Sequence, residues 1–161
     1  MGNIVLKKSP CEYSKAAGEY FAEGYNCCQA VFLAFAPELD ISADAAARLS
    51  SSFGGGMGRL REVCGAVSGM FMTAGMLAGS SDPNDHAEKT AHYKRIQELA
   101  GRFKEKNGSI VCRELLGLEK KGADSFVPEK RTPEYYKKRP CRELVEMAAE
   151  ITAEYFTENN Q

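Results

Sequence analysis

Four cysteines carry most of the chemistry in this sequence: Cys27, Cys64, Cys112 and Cys141 each fall at the predicted start of a helix. A helix N-terminus presents unpaired N–H groups and a partial positive charge. Both favour thiolate over thiol, which predicts lowered cysteine pKa values. Both also supply hydrogen bonds to the sulfurs of an anionic metal–thiolate group. Four such starts meeting at one point make a preorganised thiolate cage. Two more cysteines, Cys11 and Cys28, complete the six. Cys28 lies about 100° around the helix from Cys27 and reads as a core residue, and Cys11 as exposed and incidental. The tetrapeptide Cys112-Arg113-Glu114-Leu115 recurs as Cys141-Arg142-Glu143-Leu144. The recurrence predicts like settings for the two cysteines, each with a nearby arginine to balance thiolate charge.

Spacing leaves the use of these thiols open. No C-x-x-C occurs, so neither a zinc ribbon nor a thioredoxin motif is present. An iron–sulfur cluster, a structural zinc ion or reversible disulfides are all compatible with the pattern. His86 and His92 are six apart and do not share a helix face as a metal pair would. The run Phe53-Gly54-Gly55-Gly56-Met57-Gly58 lacks both G-x-G-x-x-G and a Walker lysine. Its Gly55 and Gly56, with Gly65, are expected to let the backbone pass close to whatever the cysteines hold. Arg59 and Arg61 either offset negative charge there or are solvated. The methionines, among them Met57, Met70, Met72 and Met76, read as core filler.

The elements that must position these residues are helical almost throughout. Ser9-Pro10 opens a helix to about Ala22. Asn26 caps a second, Cys27 to Phe35, closed by Pro37. Ser42 caps a third, Ala43 to Ser52, with Ala46, Leu49 and Phe53 at helical spacing. A long apolar helix follows, roughly Glu62 to Gly79, slimmed by Gly65, Gly69, Gly75, Ala66 and Ala74, and expected at the centre. A polar amphipathic helix runs from His86 to about Lys106, with Tyr93, Ile96, Leu99, Ala100 and Phe103 on one face. Ser109 then caps a short helix bearing Cys112. Gly117 to Arg139 reads as an irregular or partly mobile excursion in which Thr132-Pro133-Glu134 starts one turn, and Cys141 to Phe156 closes the chain. No alternating strand pattern of useful length appears. The expected fold is therefore all-α: one helical bundle of about five to seven helices over residues 1–161, around a central Gly/Ala-rich helix.

Bulk properties narrow the function classes. The 161 residues are 43% apolar, enough for one domain with a real core. Twenty-one basic and 22 acidic residues give a net charge of -1, so no basic excess points to nucleic acid or an anionic membrane surface. Met1 to Pro10 lacks the apolar run of a signal peptide, and Val63 to Ala78, interrupted by Ser68, Thr73 and glycines, falls short of a membrane span. The expectation is a cytoplasmic protein, where the reducing environment favours metal, cluster or redox roles for cysteines. No general acid–base constellation is recognisable, which leaves open whether the chain is an enzyme. The slim Gly/Ala helix face and the amphipathic last helix are compatible with a homodimer.

Several ordered elements resemble the redox-active proteins named for their C_GCAxxG_C_C cysteine pattern. Gly24-Tyr25-Asn26-Cys27-Cys28-Gln29-Ala30-Val31 is similar to the family's G-x-N-C-x-Q-A-V element, and Phe53 to Gly58 to its glycine loop. Cys64-Gly65-Ala66-Val67-Ser68-Gly69 fits C-G-A-x-x-G, and Asn107-Gly108-Ser109 to Cys112-Arg113-Glu114-Leu115-Leu116-Gly117 fits the third cysteine element. Cys141 stands where the fourth is expected. The resemblance spans roughly Gly24 to Val145, selects these four cysteines from the six and leaves Cys11 and Cys28 outside. It implies a redox role for a four-cysteine site. Related domains attached to electron-transfer proteins make an iron–sulfur cluster the first choice, serving electron transfer or redox sensing with a redox partner protein that the resemblance does not name.

Overall fold

The helices begin where side chains can satisfy their first N–H groups. In the computed structural model, which describes residues 4–119 and 121–159, Ser9 and Glu12 form a reciprocal capping box at the start of α1, Pro10–Ala22. Asn26 and Gln29 form a second at the start of α2, Cys27–Phe35, with Asn26 N donating to Gln29 Oε1 at 3.0 Å and Gln29 N to Asn26 Oδ1 at 2.9 Å. Ser42 caps α3, Ala43–Ser50. Then come α4, Gly65–Ala78, and α5, His86–Asn107, the latter capped by Asp85 and stopped by Gly108 at φ 84°. The short helices α6, Cys112–Leu115, and α7, Pro133–Lys138, precede α8, Cys141–Glu158.

Eight helices are thus found among the described residues, above the expected five to seven because α6 and α7 are each separate helices; the fold is 67% helical and has no strand. A further helical turn assigned over Gly54–Met57 is not a helix in conformation, since Gly55 and Gly56 have φ of 68° and 70°. No described helix is long and apolar enough to cross a membrane.

The core is one cluster in which α1, α2, α4 and α8 contribute most of the buried side chains. α1 lies against α8 and α2, and α4 packs on both α2 and α8. Tyr13 and Phe35 stack at 4.3 Å between ring centroids, and the Tyr13 hydroxyl donates to Glu38 Oε1 at 2.9 Å. The Gly/Ala-rich helix is central as expected, with nine of its residues buried. Two apolar positions depart from expectation. Leu49 is 54% exposed, because α3 turns only Ala46 and Ser50 inward, and Tyr93 is 62% exposed, because α5 buries only Leu99 and Phe103.

Helix α4 also separates glycines that the sequence groups together. A Cβ at Gly69 would stand 2.8 Å from the Cys28 carbonyl oxygen and 2.9 Å from Val31 Cβ, so this glycine sets the approach of α2. A Cβ at Gly75 would meet nothing within 4 Å. Gly69→Ala therefore forces two packed backbones apart and should lower stability by about 1–3 kcal/mol. Gly75→Ala removes backbone entropy from the unfolded chain without a clash and should raise stability by about 0.5–1 kcal/mol. Paired urea melts of the two variants check both signs.

Candidate functional site

All four selected cysteines sit at helix starts. Cys27, Cys112 and Cys141 are the first residues of α2, α6 and α8, and Cys64 is the residue before α4. An isolated antiparallel bridge between Val63 and Val111 joins two of these starts. Cys64 N donates to the Ile110 carbonyl at 2.8 Å, and Cys112 N to the Glu62 carbonyl at 2.6 Å. Cys27, Cys64, Cys112 and Cys141 all line one cavity of about 190 Å³. Cys64 and Cys112 are buried, Cys27 and Cys141 half-buried, and all six cysteines are free thiols. Cys28 is in the core, its thiol 3.6 Å from Met72 Sδ, and Cys11 is exposed. No three His, Cys, Asp or Glu side chains among the described residues are gathered closely enough to hold a single metal ion.

Glycines bring the backbone close to the cysteines. Gly55 and Gly65 line the cavity. A Cβ at Gly65 would lie 2.3 Å from Cys27 Sγ, and one at Gly56 would lie 2.6 Å from Cys112 Cβ and 2.9 Å from the Arg61 Cα. The loop that holds Gly55 and Gly56 is strained beyond its glycines: Met57, Arg59 and Arg61 also take left-handed φ of 66°, 66° and 62°. Such residues persist where surrounding contacts over-determine them, and they concentrate at functional sites.

The expected lowering of thiol pKa is overturned at Cys27, Cys64 and Cys141. Burial pushes the Cys27 and Cys64 thiols up, although the Gly55 and Cys28 N–H groups face the first sulfur and the Ala66 and Val67 N–H groups the second. Burial raises Cys141 to about 12, against the pull of Arg139 and Arg131. Desolvation of a thiolate outweighs the helix-start donors in this apolar setting, whose wall includes Phe21, Leu115, Leu116 and Leu144. The donors are in place, but the charged form needs a cation in the cavity to replace the proton.

The cationic wall is made by other arginines than the two adjoining Cys112 and Cys141. Arg142 pairs with Glu146 at 3.0 Å on the outside. The cavity is lined instead by Arg59, Arg61, Arg131 and Arg139. Arg61 donates through Nη1 to Cys112 Sγ at 3.6 Å and through Nε to Asp124 Oδ2 at 2.8 Å. The recurring leucines, Leu115 and Leu144, do share a setting: both line the cavity beside their cysteines.

The excursion from Gly117 to Arg139 reads from sequence as irregular or partly mobile, and in the structure its residues 124–139 form a strap held over the cysteines. Asp124 accepts from Arg61 and lies 3.6 Å from Arg59, whose Nε donates to the Ser125 carbonyl at 2.6 Å and whose carbonyl accepts from Asp124 N at 2.9 Å. Arg139 pairs with Glu129, and Arg131 lies over the rings of Phe21 at 4.4 Å and Tyr135 at 4.8 Å. Asp124, Arg131 and Tyr135 are site residues that sequence reasoning missed, because a charged, proline-bearing stretch has no periodicity to tie it to a core. Only the arginines before Cys64 gave a signal.

Residues 25–155 match the family model of the putative redox-active proteins defined by the C_GCAxxG_C_C motif. No curated protein and no solved structure matches the chain.

Two variants test how the site is held. Gly65→Ala drives a methyl into the Cys27 sulfur and should cost about 1–3 kcal/mol by overpacking, read as a lower midpoint in urea. Asp124→Asn removes the charge that both Arg59 and Arg61 grip, so trypsin should cut at Lys130 and Arg131 faster than in the wild type while the α1–α8 core stays intact on mass analysis.

Proposed function

This chain belongs to the C_GCAxxG_C_C family of redox-active proteins, and from that premise we propose that Cys27, Cys64, Cys112 and Cys141 hold an iron–sulfur cluster serving electron transfer or redox sensing. The observation that carries the reading is one cavity to which four separate helix starts each bring a thiol, beneath a cationic wall.

Three features of this cavity suit a cluster. A single zinc ion would need its sulfurs within about 3.8 Å of one another, the edge of a tetrahedron with bonds of about 2.3 Å; among the described residues no three His, Cys, Asp or Glu side chains form a group that could hold one ion. A cluster spreads its thiolates over several metal atoms and so accepts a wider set. Charge is the second feature. A doubly positive core held by four thiolates keeps two negative charges. Four arginines on the wall against Glu129, with Asp124 beside them, leave two positive charges to meet them. Third, raised thiol pKa values at Cys27, Cys64 and Cys141 make poor nucleophiles of them at neutral pH, which disfavours thiol–disulfide exchange as the primary use.

When bound, such a cluster supplies a one-electron carrier. The chain's own residues do the rest. N–H groups of Gly55, Cys28, Ala66 and Val67 face two of the sulfurs, Arg61 donates to a third, and Phe21, Leu115, Leu116 and Leu144 restrict water. Donors to sulfur and exclusion of solvent are the means by which a protein sets a cluster's potential. A reducing compartment and a partner protein that exchanges the electron belong to the same reading.

The test is anaerobic purification, or reconstitution with ferrous iron and sulfide, followed by visible absorption and iron and acid-labile sulfide analysis. A coloured protein with both elements is expected. Cys→Ser at 27, 64, 112 or 141 should each lower the iron content, while Cys11→Ser leaves it unchanged. A colourless, iron-free wild type after reconstitution overturns the proposal; stoichiometric zinc in its place would assign a structural site, and a thiol count that changes with reductant would assign disulfides.

A further inference from the structure

Arg61 and Arg131 both line the cysteine cavity, and each keeps one buried guanidinium nitrogen, Arg61 Nη2 and Arg131 Nη1, without a hydrogen-bond partner. Arg61 is only 4% exposed. Its Nε is taken by Asp124 and its Nη1 by Cys112 Sγ, which leaves Nη2. Arg131 donates through Nη2 to the Tyr25 carbonyl at 3.2 Å and is held flat by Phe21 and Tyr135, which leaves Nη1. A buried donor without an acceptor has given up its water and gained nothing in return. Two such arginines lining one cavity, with more arginines than carboxylates around it, ask for an acceptor that also brings negative charge.

The form of that acceptor follows from the donors and the room. Guanidinium N–H groups match the spacing of paired oxygens on one anion, and charge-assisted bonds of this kind are the strong ones. A cavity of about 190 Å³ lies below the roughly 300–1,000 Å³ that drug-sized ligands occupy, which limits the ligand to a compact one. We infer that the cavity binds one small inorganic oxyanion, of the sulfate and phosphate class, between Arg61 and Arg131. The site is built from guanidiniums of the cavity that the proposed cluster would also fill, so an oxyanion occupies it when the thiols hold no cluster.

The probe is sodium sulfate, titrated calorimetrically into reduced, iron-free, full-length protein, with sodium chloride holding ionic strength constant. Saturable one-to-one binding is expected, with sodium phosphate competing for the same site. Arg61→Gln and Arg131→Gln should each weaken it at least about tenfold, whereas Arg48→Gln, an exposed arginine on α3, should bind as the wild type does. Circular dichroism shows whether each variant is folded; if Arg61→Gln is not, Arg131→Gln and Arg61→Lys make the comparison. Absence of saturable binding by folded wild type overturns the inference, as does wild-type affinity in both folded glutamine variants. Iron content is read separately. Sulfate binding without iron uptake keeps this inference and overturns the cluster, and iron uptake without sulfate binding does the reverse.

Discussion

Two backbone hydrogen bonds hold the site in register: Cys64 N to the Ile110 carbonyl, and Cys112 N to the Glu62 carbonyl. They flank the bridge between Val63 and Val111 and join segments 48 residues apart in an otherwise helical protein. Because each bond uses the amide of a cysteine itself, the bridge positions both thiols by backbone alone. It also fixes the entry of α4 and α6, and with α4 the packing of α2 against Gly65 and Gly69. The glycine loop must then pass close to both segments, with Gly56 against Arg61, Glu62 and Cys112. That close passage accounts for the left-handed turns at Met57, Arg59 and Arg61.

The balance of forces on the thiols shows why location and charge state must be argued separately. Helix starts direct N–H groups at sulfur, and a single exposed helix start lowers a cysteine pKa. Here the same starts converge in an apolar cavity, where removing a thiolate from water costs more than two or three N–H donors return. The direction of the shift at Cys27, Cys64 and Cys141 is upward for that reason. Arginines on the wall reduce the cost without cancelling it. A cavity built this way holds its sulfurs as thiols until a cation enters, and is suited to binding rather than to nucleophilic attack.

The strap gives the site its second wall. Its contacts are unlike those of the core: an ion pair shared by Arg59, Arg61 and Asp124, a pair between Arg139 and Glu129, and an arginine laid on aromatic rings. Such contacts are individually modest and depend on salt, so the strap is held less firmly than the helices beneath it. Arg61 belongs to both layers, touching Asp124 on the strap and Cys112 in the site. Any change in charge at the thiols is therefore felt by the residue that latches the strap.

Local chemistry determined much of this protein from the sequence alone. Caps at Ser9, Asn26 and Ser42 and the apolar periodicity set the long helices to within a few residues, because each rests on neighbours in the chain. The same local signals put the four cysteines at helix starts, and ordered motifs singled them out from Cys11 and Cys28. Tertiary structure decided what no neighbour could: which arginines face the sulfurs, which glycines of α4 meet a neighbouring backbone or sulfur, that residues 124–139 close over the cavity, and that burial wins over helix-start donors. Those outcomes depend on segments far apart in sequence meeting in space, and on how much water that meeting removes.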